Sequence, residues 1–149
     1  MQFLSHLVTL EPTLLSRIEA TARIVNEPYL PLTVENIGLG PRGLPALSIC
    51  HYGKQNGDLM RDPEMCFEVE VKDGLAVSFH PYYFRNDYVG HEEFAVRDGQ
   101  INSRMVRKQQ DFASTWSRNL MEQGFLDAFR QTRNPTQVSQ NSEPNALSK

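Results

Sequence analysis

Residues 65–80 read MCFEVEVKDGLAVSFH, and this stretch decides the class of fold that the sequence predicts. Apolar and polar side chains alternate on both sides of Lys72-Asp73-Gly74. Alternation with a period of two is typical of a half-buried β-strand, and an Asp-Gly pair between two such runs indicates a hairpin turn. The sequence therefore predicts an antiparallel hairpin with one apolar face and one polar face.

The register of this hairpin can be predicted because residues paired across the two strands must point to the same face of the sheet. A two-residue turn would pair Val71 with Ala76 and mix the two faces, whereas a three-residue turn pairs Val71 with Leu75. We therefore predict a three-residue type I turn that closes with a glycine in a G1 bulge. On the polar face, this register sets Cys66 opposite His80.

Helical and strand-like patterns lie on both sides of the hairpin. Residues 2–25 carry apolar side chains at helical spacing that is interrupted at Pro12, which predicts two short helices or one kinked helix. Asn102 or Ser103 is suited to cap a long C-terminal helix that Gly124 stops or kinks. The other predicted segments are strands over residues 30–35, 45–52 and 93–97, an irregular aromatic stretch over 81–88, and a short return strand over 100–102.

Together these elements predict an α+β fold. We expect an antiparallel β-meander of about four to five strands packed against N-terminal and C-terminal helices. Residues 1–131 fit a single domain by size. Residues 132–149 are rich in Asn, Gln, Ser and Pro, and we expect them to be disordered because they can bury too little apolar surface.

Composition and charge exclude some classes of function. The formal net charge of -3 argues against a protein that mainly neutralises nucleic-acid phosphates. Cys50 and Cys66 lack a CxxC spacing and zinc-finger histidines, so we interpret them as reduced thiols in a cytoplasmic protein. No apolar run approaches the ~20 residues that a membrane-spanning helix requires, so we expect no membrane partner.

The candidate binding surface is a polar stretch between two strand-like runs. Residues 51–65 read HYGKQNGDLMRDPEM, and a hairpin loop needs only about two to five residues. We therefore interpret this stretch as a long polar connection that is available for recognition. The candidate surface consists of His51, Asn56, Asp58, Arg61, Asp62 and Glu64, together with Tyr82 and Tyr83 from the aromatic segment.

The same polar stretch supports an alternative, a small metal-dependent hydrolase or nuclease. His51, Asp58, Asp62 and Glu64 would surround a divalent cation in that case. The spacing does not match an EF-hand loop, and the Asn, Gly and Asp residues are also ordinary turn formers. A pairing of Cys66 with His80 lacks an orienting third group. We therefore predict no catalytic residue, no metal ion and no cofactor.

A basic cluster near the last helix supports a second alternative, nucleic-acid binding. The cluster consists of Arg97, Arg104, Arg107 and Lys108. Cations beside exposed aromatic side chains suit single-stranded nucleic acid, although a solvated helix face is the more ordinary explanation of the cluster. Tyrosine and arginine are enriched at protein interfaces, so a protein partner is the leading expectation.

The chain resembles an uncharacterised bacterial domain family found on plasmids, integrative elements and phages. The resemblance spans residues 28–125, and its most specific part is the motif HYxxQNGDLMxDPEM over residues 51–65. Further similarity lies in PYLPL over residues 28–32 and FAxxWxRNLxxQGF over 112–125. The resemblance implies a mobile-element setting and no particular chemistry. By analogy, we expect a non-enzymatic accessory protein that binds a host component such as a defence complex.

Overall fold

Six antiparallel strands form one sheet in sequence order, and helices from both ends of the chain pack on one of its faces. The computed structural model describes residues 1–133. The strands are β1 (Thr21–Ile24), β2 (Leu32–Leu39), β3 (Pro45–Gln55), β4 (Asp58–Lys72), β5 (Leu75–Asn86) and β6 (His91–Phe94), and β7 (Val96–Arg97) with β8 (Gln100–Ile101) forms a separate ribbon. The helices are α1 (Gln2–Leu10), α2 (Thr13–Ser16), α3 (Ser103–Glu122) and α4 (Phe125–Arg133). The predicted α+β fold is confirmed, with six sheet strands in place of about four to five.

The ends of the helices follow from a few residues. Pro12 separates α1 from α2, as its fixed φ and missing N–H predict. The side chain of Asn102 caps α3 by accepting a 3.0 Å hydrogen bond from the Met105 N–H. Gly124, with a φ of 86°, separates α3 from α4. The predicted helix over residues 2–25 is wrong at its end, because residues 21–24 alternate exposed and buried positions and pair with β2.

The core lies between the helices and one row of paired residues. Ala22, Val34, Ile49, Met65 and Phe84 are opposite one another in register across β1 to β5 and face the core. The helices cover this row with Phe3, Leu4, Leu7, Leu14, Trp116, Leu120 and Phe125. Burying one such large apolar side chain contributes ~1.5–3 kcal/mol, so this face supplies most of the drive to fold.

The hairpin between β4 and β5 closes with two residues, so the predicted three-residue turn is wrong. Asp73–Gly74 form the turn with φ angles of 54° and 78°, and Val71 pairs with Ala76. If this register continued along the strands, apolar residues would lie opposite polar ones. A bulge next to Val71 shifts the register by one residue, so that Val69 lies opposite Phe79 and both side chains share one face.

A second bulge separates the predicted thiol–imidazole pair. The register shifts again after Cys66, which lies opposite Tyr83 and not opposite His80. His80 instead lies opposite Glu68, and its Nε2 is 2.8 Å from an oxygen of Glu70. β5 also continues to residue 86, so the predicted irregular stretch over residues 81–88 is mostly strand.

The predicted polar connection over residues 51–65 is also wrong, because these residues belong to two long strands. The loop is a two-residue turn at Asn56–Gly57, with φ angles of 51° and 84°. Asn-Gly is the preferred pair for a type I′ hairpin turn, because both positions require positive φ. The polar side chains around the turn therefore occupy alternate faces of β3 and β4 and cannot form one loop surface.

Two further predictions concern the C-terminal residues and membrane-spanning helices. The predicted disorder of residues 132–149 lies almost entirely outside the described residues, and Thr132 and Arg133 belong to α4. Among the helices of residues 1–133, none has both the length and the apolar character that a membrane span requires.

Candidate functional site

The polar face of the sheet carries two rows of side chains that run across all six strands. The first row consists of Arg23, Thr33, Cys50, Glu64, Arg85 and Glu92. The second row consists of Thr21, Glu35, Ser48, Cys66, Tyr83 and Phe94. Directly opposed residues of an antiparallel sheet share a face, and the core helices pack on the other one. We call this second side of the sheet the open face.

Glu64 lies at the centre of the open face and is closely held. Its Oε2 accepts a 2.6 Å hydrogen bond from the Ser48 hydroxyl, and its Oε1 is 3.5 Å from Arg61 Nε. Arg85 lies opposite it on β5. The Glu64 side chain is only 14% exposed. The Ser48 hydroxyl and the Arg61 guanidinium thus hold the Glu64 carboxylate in place.

The two cysteines lie on either side of Glu64 and are buried. Burial raises the pKa of the Cys50 thiol to about 12, and the Glu64 charge raises it further in the same direction. Burial also raises the pKa of the Cys66 thiol well above its usual range. Because the thiolate is the nucleophile and the metal ligand, both thiols are inert at neutral pH.

A network of charged groups fixes the side of the open face next to β6. The Tyr83 hydroxyl donates a 2.5 Å hydrogen bond to Glu92, and Arg85 Nε donates one of 2.6 Å to Asp87. Asp87 also accepts a 2.9 Å hydrogen bond from the backbone N–H of Arg61, which lowers the pKa of its carboxyl group. This part of the surface is therefore pre-organised.

An aromatic and cationic stack stands at the edge of the same network. The rings of Tyr83 and Phe94 lie edge to face with centroids 4.9 Å apart. The guanidinium carbon of Arg97 lies 4.5 Å from the centroid of the Phe94 ring. Phe94 is still 37% exposed. We call Tyr83, Phe94 and Arg97 the edge stack.

His51, a residue of the predicted candidate surface, lies on the opposite side of the sheet from the open face. Its Nδ1 donates a 3.0 Å hydrogen bond to the carbonyl oxygen of Leu30. Its ring centroid lies 5.7 Å from that of Trp116 and 5.5 Å from that of Phe125. Burial lowers the pKa of His51, whose half-buried ring packs against aromatic side chains of the core.

The other residues of the candidate surface fall into two groups. Asn56 and Asp58 are exposed at the tip of the β3–β4 hairpin, and Asp62 accepts a 2.9 Å hydrogen bond from Asn86. Arg61, Glu64, Tyr82 and Tyr83 come together on the open face around the buried thiols.

The residues of the metal-site alternative lie on different parts of the sheet. His51 and Glu64 lie on opposite faces of the sheet, and Asp58 lies at the tip of the hairpin. Within residues 1–133, no three His, Cys, Asp or Glu side chains are grouped closely enough to hold a metal ion.

The basic cluster is divided between β7 and α3. Arg97 belongs to the edge stack, and Lys108 Nζ lies 2.6 Å from an oxygen of Glu93. Arg104 and Arg107 are exposed on α3, which packs on the other side of the sheet. Arg104, Arg107 and Lys108 are spaced i, i+3 and i+4 on α3 and so lie on one side of that helix, whereas Arg97 lies on β7.

Sequence reasoning missed Ser48, Cys50, Tyr52 and Arg85 as members of the open face. Ser48, Cys50 and Tyr52 are two residues apart within the predicted strand over residues 45–52. This spacing places them on one side of β3 and could have identified them from the sequence. Arg85 could not be placed, because the bulges of β4 and β5 determine which residue it meets.

The fold and the site define an α+β protein in which helices back one face of an antiparallel meander and leave a polar face open. The chain belongs to a family described as a domain of unknown function (DUF6908), whose profile matches residues 3–126. No curated protein and no solved structure matches the chain. The family match thus includes all of α1 except Gln2, the whole sheet and α3.

Proposed function

We propose that this protein is a non-enzymatic binding protein that captures a protein partner on its open face. One observation carries the proposal. The two rows of the open face place tyrosine, phenylalanine and arginine side chains around the buried, uncharged thiols of Cys50 and Cys66. Aromatic and arginine side chains dominate the binding energy of protein interfaces. The groups that could act chemically are either held by partners or kept protonated.

The edge stack is the best candidate for the energetic centre of this interface. Tyr83 is fixed by Glu92, and Phe94 is held between the Tyr83 ring and the Arg97 guanidinium. Side chains that are ordered before binding lose little conformational entropy on association. The edge stack therefore offers contact area at a low entropic cost.

The biological setting belongs to the same proposal. The resemblance of residues 51–65 to proteins of plasmids, integrative elements and phages supports an accessory role in a mobile genetic element. We propose that the partner is a host protein complex in the cytoplasm, with a defence complex as the leading example. A stable recognition surface is sufficient for such a role.

The test is affinity capture from the native host with two matched double variants. Phe94→Ala with Arg97→Glu removes the edge stack. Phe112→Ala with Arg107→Glu makes the same changes on α3, where Phe112 is 39% exposed and so matches the 37% of Phe94. We expect the edge-stack variant to lose the partner at least about tenfold, the usual effect of removing a hot spot. The α3 variant should retain it.

Two results would overturn the proposal. One is undiminished capture by the edge-stack variant when both variants keep the thermal midpoint of the wild type. The other is capture that nuclease treatment abolishes and that weakens steeply with salt, which is the signature of phosphate contacts. The second result would favour nucleic-acid binding, above all if the α3 variant also lost capture.

A further inference from the structure

A pocket of about 510 Å³ opens on the sheet beside the centre of the open face. Strands β1 to β4 all contribute to it, and the residues before β2 complete its wall. Its lining includes Arg23, Leu30, Thr33, Tyr52, Lys54 and Leu59. A volume of this size falls within the range of ~300–1,000 Å³ that is usual for small-molecule sites.

The charge of the pocket is entirely positive. Arg23 and Lys54 line it, and none of its lining residues is an aspartate or a glutamate. Within residues 1–133, neither cation takes part in a salt bridge. Most other arginines of the sheet are paired, as Arg85 is with Asp87. These two cations are thus available to an anionic ligand in a protein whose net charge is -3.

The remaining walls combine apolar surface with neutral hydroxyl groups. Leu30 is 40% exposed and Leu59 is 61% exposed, so both present apolar surface to solvent. Burial raises the pKa of the Tyr52 hydroxyl, which keeps it a neutral hydrogen-bond donor. Thr33 adds a second hydroxyl. Apolar walls with a few convergent polar groups are typical of sites for organic ligands.

We propose that this pocket binds a small organic anion, in which a phosphate or carboxylate group is attached to an apolar body. Arg23 and Lys54 bind the anionic group, and Leu30, Leu59 and the Tyr52 ring contact the apolar body. Guanidinium and ammonium groups are the side chains that recognise phosphate and carboxylate. This inference goes beyond the proposed function, because it concerns a small ligand and requires no protein partner.

The test uses a fluorescent probe with the proposed chemistry. We expect 8-anilinonaphthalene-1-sulfonate, an aromatic organic anion whose sulfonate stands in for the phosphate or carboxylate, to bind the full chain at one site. N-phenyl-1-naphthylamine, which has the same aromatic body and no charge, should bind at least about tenfold more weakly. Arg23→Gln and Lys54→Gln should each lower the affinity for the anionic probe about two- to fivefold, as expected for exposed ion pairs. Arg104→Gln on α3 is the control and should leave the affinity unchanged.

Competition then distinguishes the two sources of the anionic group. Displacement of the probe by adenosine monophosphate, and not by adenosine, identifies a phosphate-bearing ligand. Displacement by 1-naphthoate, and not by naphthalene, identifies a carboxylate-bearing ligand. Failure of both anions to displace the probe would overturn the proposal, as would equal binding of the uncharged analogue or unchanged affinity in both pocket variants. The edge-stack variant should bind the probe with the affinity of the wild type, because neither of its two residues lines the pocket. Loss of probe binding therefore tests the pocket, and loss of partner capture tests the proposed function.

Discussion

Arg42 and Glu68 form an ion pair in which the guanidinium is partly exposed and the carboxylate is fully buried. Arg42 Nε lies 2.8 Å from Glu68 Oε1, and the Glu68 side chain has an exposure of 0%. Glu68 Oε2 also accepts hydrogen bonds from the backbone N–H groups of Arg42, at 2.9 Å, and Leu44, at 3.2 Å. A residue in the middle of β4 therefore holds the connection between β2 and β3 in place.

We expect Glu68→Gln to destabilise the fold by about 3 kcal/mol, because it leaves buried donors without a charged acceptor. Arg42→Gln should cost less, since Glu68 keeps its two backbone donors. Glu70→Gln is the matched control, because Glu70 is 51% exposed on the same strand. Urea unfolding at pH 7 measures all three. Equal effects of Glu68→Gln and Glu70→Gln would contradict this account.

The turn at Asn56–Gly57 gives a prediction about the most polar part of the sequence. Gly57 has a φ of 84°, a conformation in which a β-carbon is strained. Gly57→Ala should therefore lower the free energy of unfolding by about 1 kcal/mol. Asp58→Ala at the neighbouring exposed position should change it by less than about 0.5 kcal/mol. A larger effect of Asp58→Ala would show that its carboxylate, and not the turn conformation, stabilises the hairpin.

Local patterns in the sequence were sufficient to predict several elements. Pro12 separates two helices, Asn102 caps α3, and residues 65–80 form a hairpin, all as predicted. Each of these features depends on residues that are close in the chain. The prediction of a long connection over residues 51–65 is wrong because the Asn-Gly pair within them requires only a two-residue turn, whatever the density of polar side chains around it.

The open face could not be predicted because it depends on register between distant strands. Two bulges between β4 and β5 change which residue lies opposite Cys66, and side-chain parity alone does not reveal a bulge. The rows also include residues of β1 and β6, which are the two edge strands of the sheet. Each has only four residues, so its alternation pattern is too short to predict its partner strand. The packing of half-buried His51 against the core could not be predicted either, because it depends on contacts with α3 and α4, which lie far along the chain.

The buried thiols predict a loss of stability at alkaline pH. In the folded protein the pKa of Cys50 is raised to about 12, whereas an unfolded cysteine ionises near ~8.5. The contribution to stability is complete below the unfolded pKa. It decreases as the pH rises towards the folded value, because only the unfolded state releases its proton.

We expect the wild type to lose about 1 kcal/mol for each thiol and each pH unit above ~8.5. Cys50→Ser with Cys66→Ser should show a flatter decline, since a serine hydroxyl does not ionise in this range. Urea unfolding between pH 7.5 and 10 measures the difference. Both thiols should also resist Ellman's reagent in the folded protein and react after unfolding. Rapid labelling of the folded wild type would contradict the assignment of inert thiols.

The packing of His51 against Trp116 and Phe125 predicts a loss of stability in mild acid. Burial lowers the pKa of His51 in the folded state, while an unfolded histidine takes up a proton near ~6.5. The contribution of His51 is complete above that value. It is lost as the pH falls towards the folded pKa, because only the unfolded state gains the proton.

His51→Gln should therefore be less stable than the wild type at pH 7.5, by about 1–2 kcal/mol, because the packing is lost. Its free energy of unfolding should then fall less steeply than that of the wild type between pH 6.5 and 5. His6→Gln is the control, since His6 is exposed on α1, and it should keep the slope of the wild type. Thermal unfolding across this pH range gives both quantities. If His51→Gln and His6→Gln showed the same slope, the packing of His51 against Trp116 and Phe125 would not disfavour its protonation, and this account would be wrong.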